Sequence, residues 1–307
     1  MRRRFTVPLI AAVGLAPWVW FLPAAPPPNL PARVSAIFDV PRDAEWLGGM
    51  SGIDVTTDGS KFTVVTDRGH IAKGQLVRDQ GVLVNVNFDA HQPLVDRFGE
   101  IGDYGYTDAE GVALAPTGSV YVSFEHAHRV LAYDTWDSVA RWPSYTRAWR
   151  ALANNRGLEA LARAEDGTLY AIPEQVNIGA WEALVYRRAP GGDWHQALTL
   201  PLDRGFAPVG ADFGPDGKFY VLERKLYPFG FLSRVRSMTV GPNSMSDVQT
   251  VLETTLGTHG NLEGLAVWQD PAGLRRLTMV SDNNFHWFMR NQVVEYTLDN
   301  RVALPAQ

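Results

Sequence analysis

The stretch Ser51-Gly52-Ile53-Asp54-Val55, then Asp58-Gly59, then Val64-Val65-Thr66-Asp67 decides the fold, because the chain repeats it. A second copy reads Glu110-Gly111-Val112-Ala113-Leu114, Thr117-Gly118, Val122-Ser123-Phe124-Glu125. A third reads Glu159-Ala160-Leu161, Asp166-Gly167, Ala171-Ile172-Pro173-Glu174. The fourth carries Ala211-Asp212-Phe213, Asp216-Gly217 and Val221-Leu222-Glu223. The fifth carries Glu263-Gly264-Leu265-Ala266-Val267, Gly273 and Met279-Val280-Ser281-Asp282. The copies start at Ser51, Glu110, Glu159, Ala211 and Glu263, roughly 50–60 residues apart, a period proper to propeller blades.

Each copy is a hairpin signal. An apolar run meets Asp-Gly or Thr-Gly, whose glycine readily takes the positive φ of a tight turn, and a second run rich in Val, Tyr and Phe follows. In the first unit the spacing predicts strands over 52–56 and 62–67. A chain that runs up one strand and down the next brings the start of the first beside the end of the second. Glu110 then neighbours Glu125, Glu159 neighbours Glu174, and Glu263 neighbours Asp282. Further strands are predicted at 129–133, 183–187, 232–238 and 292–297, with fourth strands at 82–88, 196–200 and 248–252. Runs such as Val64-Val65 are apolar on both faces, so each sheet is covered on both sides, as in four-stranded blades stacked around a channel. The fold class is therefore all-β, a β-propeller with five motif-bearing blades, and a sixth degenerate blade stays open. The segment 32–40 reads as a strand without a repeat and is predicted to close the ring beside 292–297. Residues 138–153 read as a helical or irregular insertion whose Trp142, Tyr145 and Trp149 cover the propeller.

Composition bounds the rest. The chain has 307 residues, 46% hydrophobic and 20% charged, which suits one globular domain at 29–307 after a leader. Arg2, Arg3 and Arg4 precede an uncharged run at 5–28, the pattern of an export signal. An uncleaved membrane anchor is the rival reading of 1–28, although Pro8 and Pro17 weaken a straight helix. Either way the domain is expected outside the cytoplasm, periplasmic or secreted. There is no cysteine, which removes disulfides and thiol catalysis and leaves a bound metal as the available staple. Loss of Arg2, Arg3 and Arg4 takes the formal charge from −5 to −8, which argues against nucleic acid as a partner. A monomer is expected.

The recurrent positions or their neighbours hold Asp67, Glu110, Glu125, Glu159, Glu174, Asp212, Glu223, Glu263 and Asp282, with Asp108 close by. Acids crowded at one mouth repel, and some must protonate unless cations intervene. Ca²⁺ is the natural cation, since it accepts six to eight oxygen ligands in flexible geometry. Zinc is less expected without cysteine. His126 and His128 would share a strand face, more as ordinary surface histidines than as ligands. Arg68, Arg156, Arg224 and Lys225 flank the acids and would hold an anionic substrate. The alternative is that they form structural salt bridges with the acids. A serine mechanism is poorly supported, because Gly49-Met50-Ser51-Gly52 is followed by Ile53 where a nucleophile elbow needs glycine.

Several of these motifs in order resemble a known family. They are Ser51-Gly52-Ile53 with Thr66-Asp67-Arg68-Gly69, Asp108-Ala109-Glu110-Gly111 with Glu125, Asn155-Arg156-Gly157-Leu158-Glu159-Ala160-Leu161 with Glu174, Leu222-Glu223-Arg224, and Glu263-Gly264 with Ser281-Asp282-Asn283-Asn284-Phe285. The series resembles the phytase-like domain, often labelled "esterase-like activity of phytase". The resemblance spans about 32–297 and implies an exported propeller with hydrolase activity. In the leading reading, a Ca²⁺-binding propeller hydrolase, Asp67, Glu110, Glu125, Glu159, Glu174, Glu223, Glu263 and Asp282 bind metal or activate water, and Glu159 and Glu263 also serve catalysis. Arg68, Arg156, Arg224 and Lys225 would receive a small anionic or ester substrate. Two positions depart from the pattern: Ser51 replaces an acid, and unit four has Gly210-Ala211-Asp212 where other units have Glu-Gly. A non-catalytic envelope-binding propeller and a propeller-type lactonase using Asn261, Asn283 or Asn284 stay open as alternatives.

Overall fold

A computed structural model describes residues 29–299, apart from 43, 45, 104, 105, 155, 175–180 and 204. The leader or anchor expected at 1–28 lies outside the described residues. Among those described, no helix is long and apolar enough to cross a membrane.

Strand β1 (Ala32–Asp39) is first in sequence and belongs to the last blade. Blade one holds β2 (Met50–Val55), β3 (Lys61–Thr66), β4 (His70–Asp79) and β5 (Val82–Pro93). Blade two holds β6 (Ala109–Leu114), β7 (Val120–Phe124) and β8 (Arg129–Tyr133). Blade three holds β9 (Ala160–Arg163), β10 (Leu169–Ile172), β11 (Glu182–Arg188) and β12 (His195–Pro201). Blade four holds β13 (Ala207–Phe213), β14 (Phe219–Tyr227), β15 (Gly230–Val240) and β16 (Met245–Glu253). Blade five holds β17 (Asn261–Gln269), β18 (Arg275–Asp282) and β19 (Gln292–Leu298), completed by β1 pairing antiparallel with β19. The five sheets among the described residues leave no sixth blade, and the N-terminal strand closes the ring as its pattern predicted.

The innermost strands β2, β6, β9, β13 and β17 contact one another in that order, and β17 meets β2. The approach is close enough to require glycine. A Cβ on Gly52 would press into the carbonyl oxygen of Glu110, and one on Gly210 into that of Glu263. Between blades the apolar faces interlock. Val65 and Ile71 of blade one pack with Val122, Phe124 and Leu131 of blade two, and Ile172 of blade three packs with Phe219 and Val221 of blade four. Buried arginines reinforce two of the seams. Glu295 of β19 is bidentate to Arg78 of β4, at 2.6 and 2.7 Å, across the closure between blades five and one. Arg236 of β15 donates to Glu223 at 2.9 Å and to the Pro201 carbonyl at 2.6 Å, tying blade four to blade three.

The general expectation of four strands in every blade, and the covering role given to Trp142 and Tyr145, need correction. Blade two has three strands, and residues 140–144 lie along β8 only through the bridges Val130–Ser144 and Tyr133–Ala140. The segment 138–153 contributes one short 3-10 turn, Arg147–Ala151. Of its aromatics only Trp149 is buried; Trp142 and Tyr145 are exposed, with the Arg97 guanidinium 3.5 Å over the Trp142 ring.

Candidate metal-binding mouth

A β-bulge builds the mouth. In blade one Met50 pairs with Thr66 and Gly52 with Val65, so Ser51 is unpaired. In blade five Leu262 pairs with Ser281 and Gly264 with Val280, so Glu263 is unpaired. Blade four repeats this at Val209, between Pro208 paired with Glu223 and Gly210 paired with Leu222. Blade two shows the same shift between Ala109 and Val112, where Glu110 sits, and Glu159 immediately precedes β9 in blade three. A bulge re-aims the side chain it expels from the ladder, and here it turns Glu110 and Glu263 into the channel mouth, where Glu159 joins them from the position before β9. At the end of the second strand comes the partner position: Asp67 and Glu125 one residue past it, Glu174 two residues past it, and Asp282 as its last residue.

The register places Arg224, not Glu223, at that position in blade four. Arg224 donates to Glu174 at 2.9 Å, to Asn261 at 2.7 Å and to Glu263. Asn261 donates in turn to Glu263 at 2.8 Å and reaches Asp282 at 3.4 Å. Glu125 accepts the Gly157 N–H at 3.0 Å. His126, at φ +55° in the turn after β7, lies 3.2 Å from Asp108 and 3.7 Å from Glu125. Asp108, Glu125 and His126 present ligand atoms within 4.8 Å of one another.

Electrostatically the mouth holds too much negative charge. Burial, then the Asp282 and Asp108 charges, push Asp67 up to about 8. Burial raises Glu263 to about 8 against the pull of Arg224, and raises Glu125 to about 7. Burial together with neighbouring carboxylates holds Glu110 and Glu159 well above the usual carboxylate range. Asp108 and Asp282 are raised by burial as well. Burial alone would lower Arg224, but Glu263, Glu174 and Glu159 hold it above its ordinary value, so it stays a fixed positive charge.

The predicted site residues therefore divide. Asp67, Glu110, Glu125, Glu159, Glu174, Glu263 and Asp282 come together with Arg224. Glu223 does not: strand alternation turns it to the opposite face, where it is fully buried against Arg234 and Arg236. Lys225 shares that face and lies 5.8 Å from the Phe206 ring and 5.4 Å from the Tyr227 ring. Asp212 lies on the wall of β13 beyond the bulge and accepts the Val267 N–H of blade five at 2.7 Å. Arg68 is at the rim, its guanidinium 3.5 Å from the Phe285 ring, and Arg156 is exposed on the loop before β9. Ser51 Oγ donates to the Gly49 carbonyl at 3.1 Å and activates nothing. His126 and His128 lie in a turn rather than on a strand. Asn261, which the sequence offers as a neutral polar group beside the acids, stands opposite Asp282 and bonds Arg224 and Glu263.

The residues present fit a hard divalent cation. Apart from His126 their donors are carboxylate and amide oxygens, the kind that Ca²⁺ takes. Asp67 Oδ1 is buried with no hydrogen-bond partner, an acceptor that a cation would satisfy. Gly49 leaves that carboxylate its space, since a Cβ there would collide with it.

Fold and site together define a five-bladed propeller with an acidic, oxygen-rich mouth. Over residues 45–285 the chain matches the family described as "Phytase-like: Esterase-like activity of phytase", and it belongs to that family. No curated protein matches the sequence. Among solved structures the similarities are distant. A luciferin-regenerating enzyme is 11% identical over 88% of this chain and 97% of its own, with a TM-score of 0.47. A gluconolactonase candidate is 12% identical over 92% and 96%, with a TM-score of 0.43. The WD40 repeats of RRP9 are 11% identical over 87% and 99%, also with a TM-score of 0.43.

Proposed function

We propose that the protein is a divalent-cation-dependent hydrolase of phosphate or other esters, working at the propeller mouth, with Ca²⁺ as its cation. The observation that carries this reading is the crowd of raised carboxylates around a single guanidinium, with Asp67 Oδ1 buried and unpartnered. Asp67, Glu110, Glu125, Glu159, Glu263 and Asp282 would hold the ion, with Asp108 and His126 at one edge. When bound, it supplies charge neutralisation and Lewis acidity toward an ester oxygen. Glu159 and Glu263 hold protons in the buried mouth and exchange them with the reacting water. Arg224 fixes Glu174 and Glu263 in place, and Arg68 and Arg156 at the rim attract the substrate anion. Membership of the phytase-like family supports hydrolysis of an ester. The basic-then-apolar leader supports a periplasmic or secreted location, and the acidic body supports small-molecule rather than nucleic-acid partners.

The ion pairs of Arg224 favour a second reading, in which the ring is a structural salt-bridge or ion site of a binding propeller. The Asn261–Glu263–Asp282 group favours a third, a lactonase. One panel separates the three: 4-nitrophenyl phosphate, 4-nitrophenyl acetate and a δ-lactone, each with Ca²⁺ and with chelator. Ca²⁺-dependent turnover of the phosphate ester supports the proposal. Turnover of the lactone alone supports the third reading, and turnover of none supports the second.

A further inference from the structure

Blade two is the blade without a fourth strand, and a cavity of about 240 Å³ opens beside its last strand. Alternation along β8 decides what faces it. Arg129, Leu131 and Tyr133 line the cavity, while Val130 and Ala132 point to the other side of the sheet. The remaining walls include Leu94, Tyr106 and Phe124.

Two polar groups in this apolar setting lack what burial demands. Arg129 donates to the backbone carbonyls of Ala127, at 2.9 Å, and of Tyr106, and its guanidinium lies 4.3 Å from the Phe124 ring. Among the described residues no carboxylate pairs with it. Burial lowers its proton affinity, and the groups that act on it electrostatically are the phenols of Tyr133 and Tyr106. A largely buried cation without an anion is costly. The second group is the Tyr133 hydroxyl, which is buried with no hydrogen-bond partner on a residue 1% exposed. A buried hydroxyl left unpaired costs about 1–3 kcal/mol. Arg129 and Tyr133 thus line one space, and both carry groups able to donate.

The charge at the rim sets the valence of the missing acceptor. Arg141 pairs with Asp134. Asp96 offsets Arg97, and its carboxylate accepts the N–H groups of Phe98 at 2.8 Å and Glu100 at 3.0 Å. Arg129 alone is left uncompensated, which calls for a monoanion. The volume is below the ~300–1,000 Å³ of sites for drug-sized ligands, which leaves room for one ring.

We propose that this cavity binds a small aromatic carboxylate, its carboxylate held by Arg129 and Tyr133 and its ring against Phe124, Tyr106 and Leu131. The site lies beside β8, the last strand of blade two, and its lining includes none of the residues assigned to the mouth cation.

The test is calorimetric titration of the full protein with benzoate, benzamide and inorganic phosphate, with and without chelator. The expected result is saturable benzoate binding with a Kd of ~0.1–1 mM, unchanged by chelator, and at least about tenfold weaker benzamide binding. Tyr133→Phe should weaken benzoate about tenfold, the loss of one charge-assisted hydrogen bond, without lowering the melting temperature. Arg129→Gln should remove binding; because Arg129 also ties two backbone carbonyls, the Tyr133→Phe result decides if that variant fails to fold. No benzoate binding up to ~10 mM, equal affinity for benzamide, phosphate taken up in its place, or an unaffected Tyr133→Phe variant would each overturn the proposal.

Discussion

Arg224 in blade four stands in the register position that Asp282 holds in blade five. Leu222 opposes Gly210 as Val280 opposes Gly264, and each mouth residue follows two places later. The exchange sets one fixed positive charge into an otherwise acidic ring, where it pairs with Glu174 and Glu263.

Replacing that charge tests its two effects together. Arg224→Gln leaves Glu174 and Glu263 without their partner and should destabilise the cation-free protein by about 3–5 kcal/mol, as loss of one member of a buried pair does. The same change removes a cation that competes with the metal, so Ca²⁺ should bind about tenfold tighter while turnover falls. Denaturant melts and calcium titration of the variant measure both. Unchanged calcium affinity would separate Arg224 from the ion site.

The raised carboxylates make stability depend on pH in a set direction. Asp67 and Glu263 lie at about 8 and Glu125 at about 7 in the folded protein, against ordinary values of 3.8 and 4.5. Between these limits the folded state binds more protons than the unfolded one. Their contribution is therefore full below about pH 4 and is lost as pH rises toward 8. His259, pushed down to about 4 by burial, acts in the opposite sense below its ordinary 6.5, so the clean window is pH 6.5–8. In chelator the melting temperature should fall across that window. With saturating Ca²⁺ the fall should flatten, and binding should release protons. A melting temperature that rises across the window in chelator would contradict the assignment.

Much of this was legible in the sequence, and the rest was hidden by one device. Hairpin signals such as Asp58-Gly59, recurring at blade spacing, gave the strands, the ring and its closure by β1, because alternating apolar runs and Gly turns are local chemistry. The bulge is not local in that sense. It adds one residue to the first strand without changing composition, and in unit four residue type overrode spacing: Gly217 follows Val209 by eight residues, as Gly59 follows Ser51, Gly118 follows Glu110 and Gly167 follows Glu159, yet the acidic side chains drew the assignment to Asp212 and Glu223. The missing strand of blade two and the approach of His126 to Asp108 depend on packing between distant segments, which no spacing reports.

Two glutamates separate mouth from scaffold. Glu159→Gln keeps the shape of a buried, largely protonated side chain, so the fold should survive while calcium-dependent turnover is lost. Glu223→Gln leaves Arg234 and Arg236 without their shared carboxylate and should cost about 3–5 kcal/mol of stability with calcium affinity unchanged. Parallel melts and calcium titrations of the two variants should give opposite patterns; matching patterns would refute the register.

Gly210→Ala probes the closeness of the inner ring. The added methyl meets the Glu263 backbone, which cannot swing aside, so a loss of about 1–3 kcal/mol or more is expected in a chemical melt. An unchanged midpoint would mean the blades sit farther apart than described.

The most direct test of the central claim is to strip the purified protein with chelator, measure its metal content before and after, and follow its melting temperature as Ca²⁺ is returned. Bound calcium at the start, a large drop on chelation and a saturable recovery are the predicted results. No bound ion and no shift in melting on either step would contradict the account, and would mean that Arg224 and proton uptake alone neutralise the mouth.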